Sequence, residues 1–349
     1  MKKLLAKLRK KENDAASSRI TNETVAEHRE RILAGGRKFK YPLQYARHRL
    51  VFNAIIISIV AVIAIIAIGY WQLYSAQNTG VFMYRVARVV PVPVASVDGQ
   101  PVSYGDYLMR YRGAIHFLEQ QEEVSFKSED GQRQLEYYKQ QELQNAIVEA
   151  YAQKLANSMD ITVSDVELEA TLKAQRQSSN GEISQQTQEA SILSSFGWSP
   201  EEYRQLVKSA LLLQKVSYAI DDNAKKISDD IATQVSADGA NLQAIADATG
   251  KSTGAQVAYG ASGLVLKTNQ DHGLAIEASK LERGKVSGAI KSTTGDGYYF
   301  VRLLDSNDTQ VSYEYIQVPL SEMTKRIDGL EKNKKIVRYI SIKTDTTQP

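Results

Sequence analysis

The sequence predicts an α+β chain in three parts: a single apolar helix near the N-terminus, a mostly helical unit after it, and a small mixed α/β unit beyond that. Three observations carry the prediction. No charged residue lies between Leu50 and Tyr84. From Ser103 to Leu213, apolar residues recur at three- and four-residue spacings behind serine caps. Beyond about residue 255 the pattern changes to short β-rich runs punctuated by glycine.

The apolar run has the core LVFNAIIISIVAVIAIIAIGYWQLY, Leu50 to Tyr74, closed by Arg49. At ~1.5 Å per residue, ~20 apolar residues cross a ~30 Å hydrocarbon layer. Continuous apolar runs in buried core helices rarely pass ~14 residues. Tyr70, Trp71 and Tyr74 gather at one end, as an interfacial aromatic belt would. A transmembrane helix is therefore expected over 50–74. Residues 1–49 carry seven lysines and seven arginines against five acids, a net of +9, whereas 75–349 carry 29 basic and 35 acidic residues, a net of −6. The positive-inside rule then places 1–49 in the cytoplasm and the bulk of the chain on the extracytoplasmic side of the cell membrane. A cleaved signal peptide fits less well: its apolar core runs ~7–15 residues, and Ser75-Ala76-Gln77 is a poor cleavage site. An uncleaved signal-anchor is expected.

Composition excludes several chemistries. There is no cysteine, which removes disulfides, thiol catalysis and zinc-thiolate sites. The four histidines, at 28, 48, 116 and 272, have no metal-ligand spacing, so neither metal nor cofactor is expected. No GxGxxG, Walker or GxSxG pattern occurs. The basic stretch Met1–Lys11 sets Leu4, Leu5 and Leu8 on one helical face. It reads equally as a helix on an anionic leaflet or as a disordered basic tail. Topology already explains its charge, so no nucleic acid is expected as a partner. A short helix is expected over Thr24–Leu33, stopped by Gly35-Gly36.

The first exported unit is placed at 78–221. Val81–Val97, with Pro91 and Pro93, reads as edge strand or extended connector. Asp98-Gly99 is a tight-turn signal. Ser103 with Asp106 opens a helix striped by Tyr107, Leu108, Tyr111 and Ile115, on which His116 is an ordinary surface or core residue. A longer helix follows over Gly131–Ser158, with Leu143, Ile147, Tyr151 and Leu155 at fours. Ser164 and Glu167 mark another start. Residues 174–190, rich in Gln, Ser and Asn, read as a flexible loop. Ser199, Pro200 and Glu202 then begin a helix with Tyr203, Leu206, Val207 and Leu211 on its apolar face.

The order strand, Asp-Gly turn, strand, capped helix, long helix ending LANSMDITVSDVELEATL, then FGWSPEEYRQLVKSALLLQKV resembles the SurA-type N-terminal chaperone domain of envelope foldases such as SurA, PrsA and PpiD. The resemblance covers about 94–220. It implies a chaperone for protein folding, with unfolded or translocating polypeptides as partners and the secretion translocon as a neighbour.

A second unit is placed at 222–318, with helices over Ile227–Ala248 and strands near 257–267 and 298–304. The stretch LERGKVSGAIKSTTGDGYYFVRLLD resembles the end of a parvulin (PpiC-type) rotamase domain, through Leu281, Gly284, Val286, Ser287, Gly297 and Tyr298. Set against that family, Tyr299 stands where a histidine is usual. Tyr218-Ala219-Ile220, at the place of the opening strand, has no histidine, and the family's Cys or Asp has no match. The resemblance puts the proline-pocket wall near Ser279 and Leu274, with His272 close by. A parvulin-like site, if it survives, is thus Tyr299, Ser279, Leu274 and His272. Lowering a barrier of ~18–20 kcal/mol to peptide rotation needs a shaped, desolvated pocket, so a degenerate rotamase is implied.

In the tail, Val311–Pro319 reads as a strand, Leu320–Lys332 as a helix, and 344–349 as disordered. The run Ile336–Ile342 is either a last strand or a helix end. As a strand it would pair with the 81–102 region, so that 320–343 completes the 78–221 unit. Three functional readings follow: a membrane-anchored extracytoplasmic chaperone or foldase, an active peptidyl-prolyl isomerase, and a non-catalytic structural subunit of an envelope assembly.

Overall fold

The computed structural model describes residues 21–40, 42–178, 181–237 and 239–342, in two compact units, 1–71 and 72–349. The expectations for Met1–Lys11 and for a disordered 344–349 lie outside the described residues.

In the first unit, α1 spans Asn22–Lys40 and α2 spans Pro42–Tyr70. Helix α1 runs straight through Gly35-Gly36, which corrects the expected stop. Neither glycine takes the left-handed φ that ends helices, and an interior glycine costs only ~1 kcal/mol. Helix α2 begins on Pro42, where the missing N–H has no helical partner to lose. Within the helix His48–Ser75 an 18-residue window reaches a mean hydropathy of 3.0, and the helix is long and apolar enough to cross a membrane.

The second unit opens inside the end of that apolar run. Residues Trp71–Ser75 form a π-helical turn. Leu73 is 3% exposed and Tyr74 packs on the same core. The last residues of the expected 50–74 span are therefore protein core, which hydropathy cannot tell from lipid-facing helix. Helix α3, Val81–Val89, replaces the extended connector expected there. Its Met83 and Ala87 are buried, and the prolines that suggested extension fall beyond its end. Burial of one helical face outweighs the β preference of valine.

Strands β1 (Pro93–Val97) and β2 (Gln100–Ser103) form a hairpin. Its turn residues, Asp98 at φ 47° and Gly99 at φ 82°, take the left-handed pair that a two-residue hairpin needs. Ser103 then caps α4 (Tyr104–Gln121), accepting from the Asp106 amide, and Ser128 caps α5 (Glu129–Ser158). Helices α6 (Asp165–Gln175) and, later, α8 (Pro200–Ile220) each open on a complete capping box, Ser164/Glu167 and Ser199/Glu202. The segment expected as a loop over 174–190 instead holds the hairpin β3 (Gln177–Ser178) and β4 (Gly181–Glu182) and the first half of α7 (Gln185–Phe196). Ser184 caps α7 and left-handed Gly197 ends it, so its boundaries rest on caps that polar composition conceals.

Helix α9 (Asp222–Val235), α10 (Leu242–Thr253), β5 (Ala258–Leu266), α11 (Leu274–Ala278), β6 (Ile290–Lys291), β7 (Gly297–Ser306) and β8 (Gln310–Pro319) follow. The sheet is antiparallel, in the order β5-β8-β7-β6. One face packs Phe300, Ile316 and Val318 against Ile231 and Leu242 of α9 and α10. The other packs Tyr299, Val301 and Tyr313 against Leu274 and Ala278 of α11. Tyr218-Ala219-Ile220 closes α8 and is not an opening strand, because the apolar stripe of α8 continues through Val216 and Ile220 into a buried face. The inner place between β5 and β7 belongs to β8.

After α12 (Glu322–Lys332), strand β9 (Ile336–Arg338) pairs antiparallel with β1, Val97 opposite Ile336 and Ala95 opposite Arg338. Met323, Ile327, Ile336 and Ile340 join one core with Leu108, Ile147 and Val216. Asp221 ties the sequence-distant pieces together. It is 2% exposed. One carboxylate oxygen accepts from the Ala224 amide at 2.9 Å, and the other from Ser321 at 2.7 Å and Glu322 at 2.9 Å. One side chain therefore caps both α9 and α12.

Candidate functional site

A cleft of about 860 Å³ lies among α3, α4 and the α7–α8 junction. Phe196 and Trp198 line it. Phe117, Phe196 and Trp198 form a continuous stack, with centroids 5.1 Å and 4.6 Å apart and planes within 14° and 8°. Left-handed Gly197 turns the chain between Phe196 and Trp198 so that both rings face one way. Trp198 donates its indole N–H to the Met109 carbonyl at 3.0 Å. It lies so close over Gly113 that any Cβ there would meet the ring at 2.4 Å. All three rings are half-buried, and Phe196 and Trp198 line the cleft, with Phe117 stacked behind them.

The opposite wall is cationic. Arg112 stacks over the Tyr84 ring at 5.5 Å and donates to the Thr79 carbonyl at 2.6 Å. Arg88 pairs with Asp106 at 2.9 Å. Among the described residues, exposed Arg85 carries no ion pair. Tyr84 donates to Glu202, and burial first, then that carboxylate, raises its pKa far above the ordinary value. It stays a neutral donor. His116, read from sequence as an ordinary residue, lines this cleft, its Nε2 3.0 Å from the Ser194 carbonyl. A smaller cavity of about 600 Å³ lies across Met109, beside β2, and contains the Arg110–Glu149 pair. Burial pushes the Glu149 carboxyl up despite the guanidinium beside it. Neither cavity presents a group of three metal-ligating side chains, and none occurs among the described residues. Their chemistry is apolar contact, stacking and hydrogen bonding.

The residues singled out from sequence lie elsewhere, on the α11 side of the second sheet. Three of the four come together. Tyr299 and Leu274 share one core, at 3% and 2% exposure. The His272 ring stacks on Tyr299 with centroids 5.7 Å apart. The group centres on a residue not singled out, Asp296. It accepts from Tyr299 at 2.7 Å, Thr294 at 3.0 Å and Gln317 at 3.2 Å, with His272 Nδ1 at 3.4 Å. Burial pushes the Asp296 carboxyl up, but hydrogen bonds from its neighbours and the His272 ring outweigh it and hold it below the usual range. Burial and the same carboxylate drive the Tyr299 hydroxyl well above its ordinary value. Ser279 stands apart: its hydroxyl donates to the Ile276 carbonyl at 2.7 Å and finishes α11.

A family model described as the SurA-like N-terminal domain matches residues 43–217, half of the chain. The chain belongs to that family. The match takes in the apolar helix, the α3–α8 helices and the whole aromatic cleft. It ends within α8, before the sheet that holds His272, Asp296 and Tyr299. No curated protein matches the chain.

The cleft was missed in the sequence because the residues that line it, Tyr84, Arg112 and Trp198 among them, lie far apart in the chain. The one local signal was Phe196-Gly197-Trp198, two aromatic rings around a helix-ending glycine.

Proposed function

We propose that the protein is a membrane-anchored extracytoplasmic chaperone that holds unfolded, translocated polypeptides in the aromatic cleft. The observation that carries this is the cleft itself: the rings of Phe196 and Trp198, backed by Phe117, lining it together with Arg85, Arg88 and Arg112, within the segment matched to the SurA-like family. An unfolded segment offers apolar side chains to the rings and carbonyl or carboxylate oxygens to the arginines, and both contacts are reversible. No covalent chemistry is required. The +9 basic residues 1–49 stay in the cytoplasm and α2 anchors the rest. In this reading 78–221, completed by 320–343, is the chaperone unit. Support comes from the shared core of Ile147, Val216, Met323 and Ile340 and from the β1–β9 pairing.

The unit over 222–318 is, in this proposal, a degenerate parvulin-like element. Tyr299 spends its hydroxyl on Asp296 and is 3% exposed, which favours a structural network over a proline pocket. Turnover of a Xaa-Pro peptide is accordingly expected at background.

The test is suppression of aggregation. The full chain in lipid nanodiscs, added to reduced, denatured lysozyme, should slow the rise of light scattering relative to empty nanodiscs. His116→Glu, which puts a charge at the cleft wall, should weaken that effect. No suppression by the native chain would overturn the proposal and favour a purely structural subunit.

A further inference from the structure

The smaller cavity, about 600 Å³, has no part in holding the fold together or in the aromatic cleft. It lies between β2, α4, α5 and α8. Each of its four charged residues has an opposite partner: Arg110 pairs with Glu149, Asp106 with Arg88, and Lys208 with Asp165 at 4.0 Å. Arg110 donates to Glu149 through Nε at 3.1 Å and through Nη2, which leaves Nη1 without a partner among the described residues. Gln100 and Ser209 also line the cavity, and among the described residues neither side chain has a hydrogen-bond partner. Val102 and Leu212 add apolar wall beside these polar groups. The lining therefore offers donors and acceptors with its charges already matched, which suits a neutral amide better than an ion.

Met109 lines both this cavity and the aromatic cleft. Its carbonyl is fixed by the Trp198 indole at 3.0 Å, while its unbranched side chain keeps three rotatable bonds. One turn earlier on α4, Asp106 accepts from Arg88 at 2.9 Å and from Gln205 at 2.8 Å, and Arg88 donates to Gln205 at 2.8 Å. Arg88 lines the cleft, whereas Asp106 and Gln205 line the smaller cavity. The cluster thus ties α3, α4 and α8 together at the boundary of the two cavities. The Arg88 and Asp106 side chains are 32% and 39% exposed, and an ion pair that water reaches holds weakly.

We propose that the 600 Å³ cavity is a second subsite for client polypeptide. It takes the backbone amides of the same extended chain whose side chains meet Phe196 and Trp198, and Met109 with the Arg88–Asp106–Gln205 cluster is the gate between the two subsites. The proposal rests on the reading that the aromatic cleft holds client. Two observations commit the cavity to polypeptide. The first is continuity, because Met109 is shared by the two linings. The second is chemistry. A peptide backbone presents an N–H and a C=O at each residue and no charge. Arg110 Nη1 and the Gln100 amide can donate to its carbonyls, and the Gln100 and Ser209 oxygens can accept from its N–H groups. When the gate opens, Arg88 and Asp106 exchange their mutual contact for the carbonyls and amides of the passing chain.

The absence of cysteine from the sequence allows the gate to be locked selectively. The pair Arg88→Cys and Gln205→Cys, whose native side chains meet at 2.8 Å, is joined by a short bismaleimide. As the unlocked control, the same two cysteines are capped with N-ethylmaleimide. A benzophenone side chain is placed at Gln153 in the smaller cavity, at Glu119 in the cleft, or at exposed Lys225 on α9. Each full-length variant is irradiated in nanodiscs with denatured lysozyme. With the gate unlocked, lysozyme adducts at 153 and 119 should exceed those at 225 several-fold. Locking should cut the yield at 153 several-fold and spare that at 119, which also shows that the locked chain is folded. Adducts at 119 with none at 153 would overturn the second subsite and leave the cleft reading standing. Adducts at neither position would overturn the cleft reading and this proposal with it. An equal yield at 153 with the gate locked or unlocked would show entry by another mouth and overturn the proposal. Adducts at 153 to a second copy of the chain, in place of lysozyme, would overturn it as well.

Discussion

Replacing Asp221 by alanine should destabilise two helices that begin a hundred residues apart. The native carboxylate accepts three backbone amides, from Ala224, Ser321 and Glu322, and is 2% exposed. Ser321, at the start of α12, makes no capping bond of its own, so Asp221 supplies that cap as well as the one on α9. Loss of a helix cap costs ~0.5–2 kcal/mol, and a buried donor left unsatisfied costs ~1–3 kcal/mol. Two caps lost together, with some relaxation, give a total of roughly 3–5 kcal/mol. For a domain of this size, 1 kcal/mol is worth ~2–4 °C, so the melting temperature should fall by about 10 °C. Asp221→Asn should fall between native and alanine, because it keeps one accepting oxygen and turns an NH₂ toward the other amides. The assay is thermal unfolding followed by circular dichroism, with hydrogen exchange read at Ala224 and Glu322. Both amides should lose protection together. A shift below about 3 °C, or faster exchange at only one of the two amides, would refute the double-cap reasoning.

Three other outcomes follow from the structure. Glu167 is held down to about 2 from 4.5 by its hydrogen bonds with Lys215 and then Ser164. Its folded pKa is depressed, so its contribution is present above pH 4.5 and lost as pH falls toward 2. The melting-temperature gap between native and Glu167→Gln should hold above that range and close across it. Glu314, 8% exposed, pairs with Arg302 and accepts from Tyr259 at 2.6 Å. Glu314→Ala strands a largely buried guanidinium and should cost ~3–5 kcal/mol in chemical denaturation. Gly113→Ala would drive a Cβ into Trp198. It should cost ~1–3 kcal/mol by overpacking and should change tryptophan fluorescence, as the indole leaves the Met109 carbonyl.

Local signals were the legible part of the fold. Ser103, Ser164 and Ser199 cap the helices they were expected to cap, and Asp98-Gly99 makes the turn. The chemistry of each lies within four residues. The misreadings share one cause. Val81–Val89 looks extended by composition, yet Met83 and Ala87 find a core that the local sequence does not display. Leu73 and Tyr74 look like lipid-facing helix for the same reason. At the second sheet, Tyr299, His272 and Leu274 were legible by resemblance. Asp296 was not, because its role depends on Gln317 across the sheet and on the turn that brings Thr294 to it. The aromatic shelf is assembled from three elements and is visible only in three dimensions.

The most direct test of client holding is contact at the cleft. A photo-reactive benzophenone side chain placed at Glu119 or Val81, both lining the cleft, is compared with one at Val166 on α6. Each full-length variant is reconstituted in nanodiscs and irradiated with denatured lysozyme. The account predicts client adducts from 119 and 81, competed by excess unlabelled unfolded chain, and few from 166. Equal adducts at all three positions, or adducts at 166 alone, would contradict it.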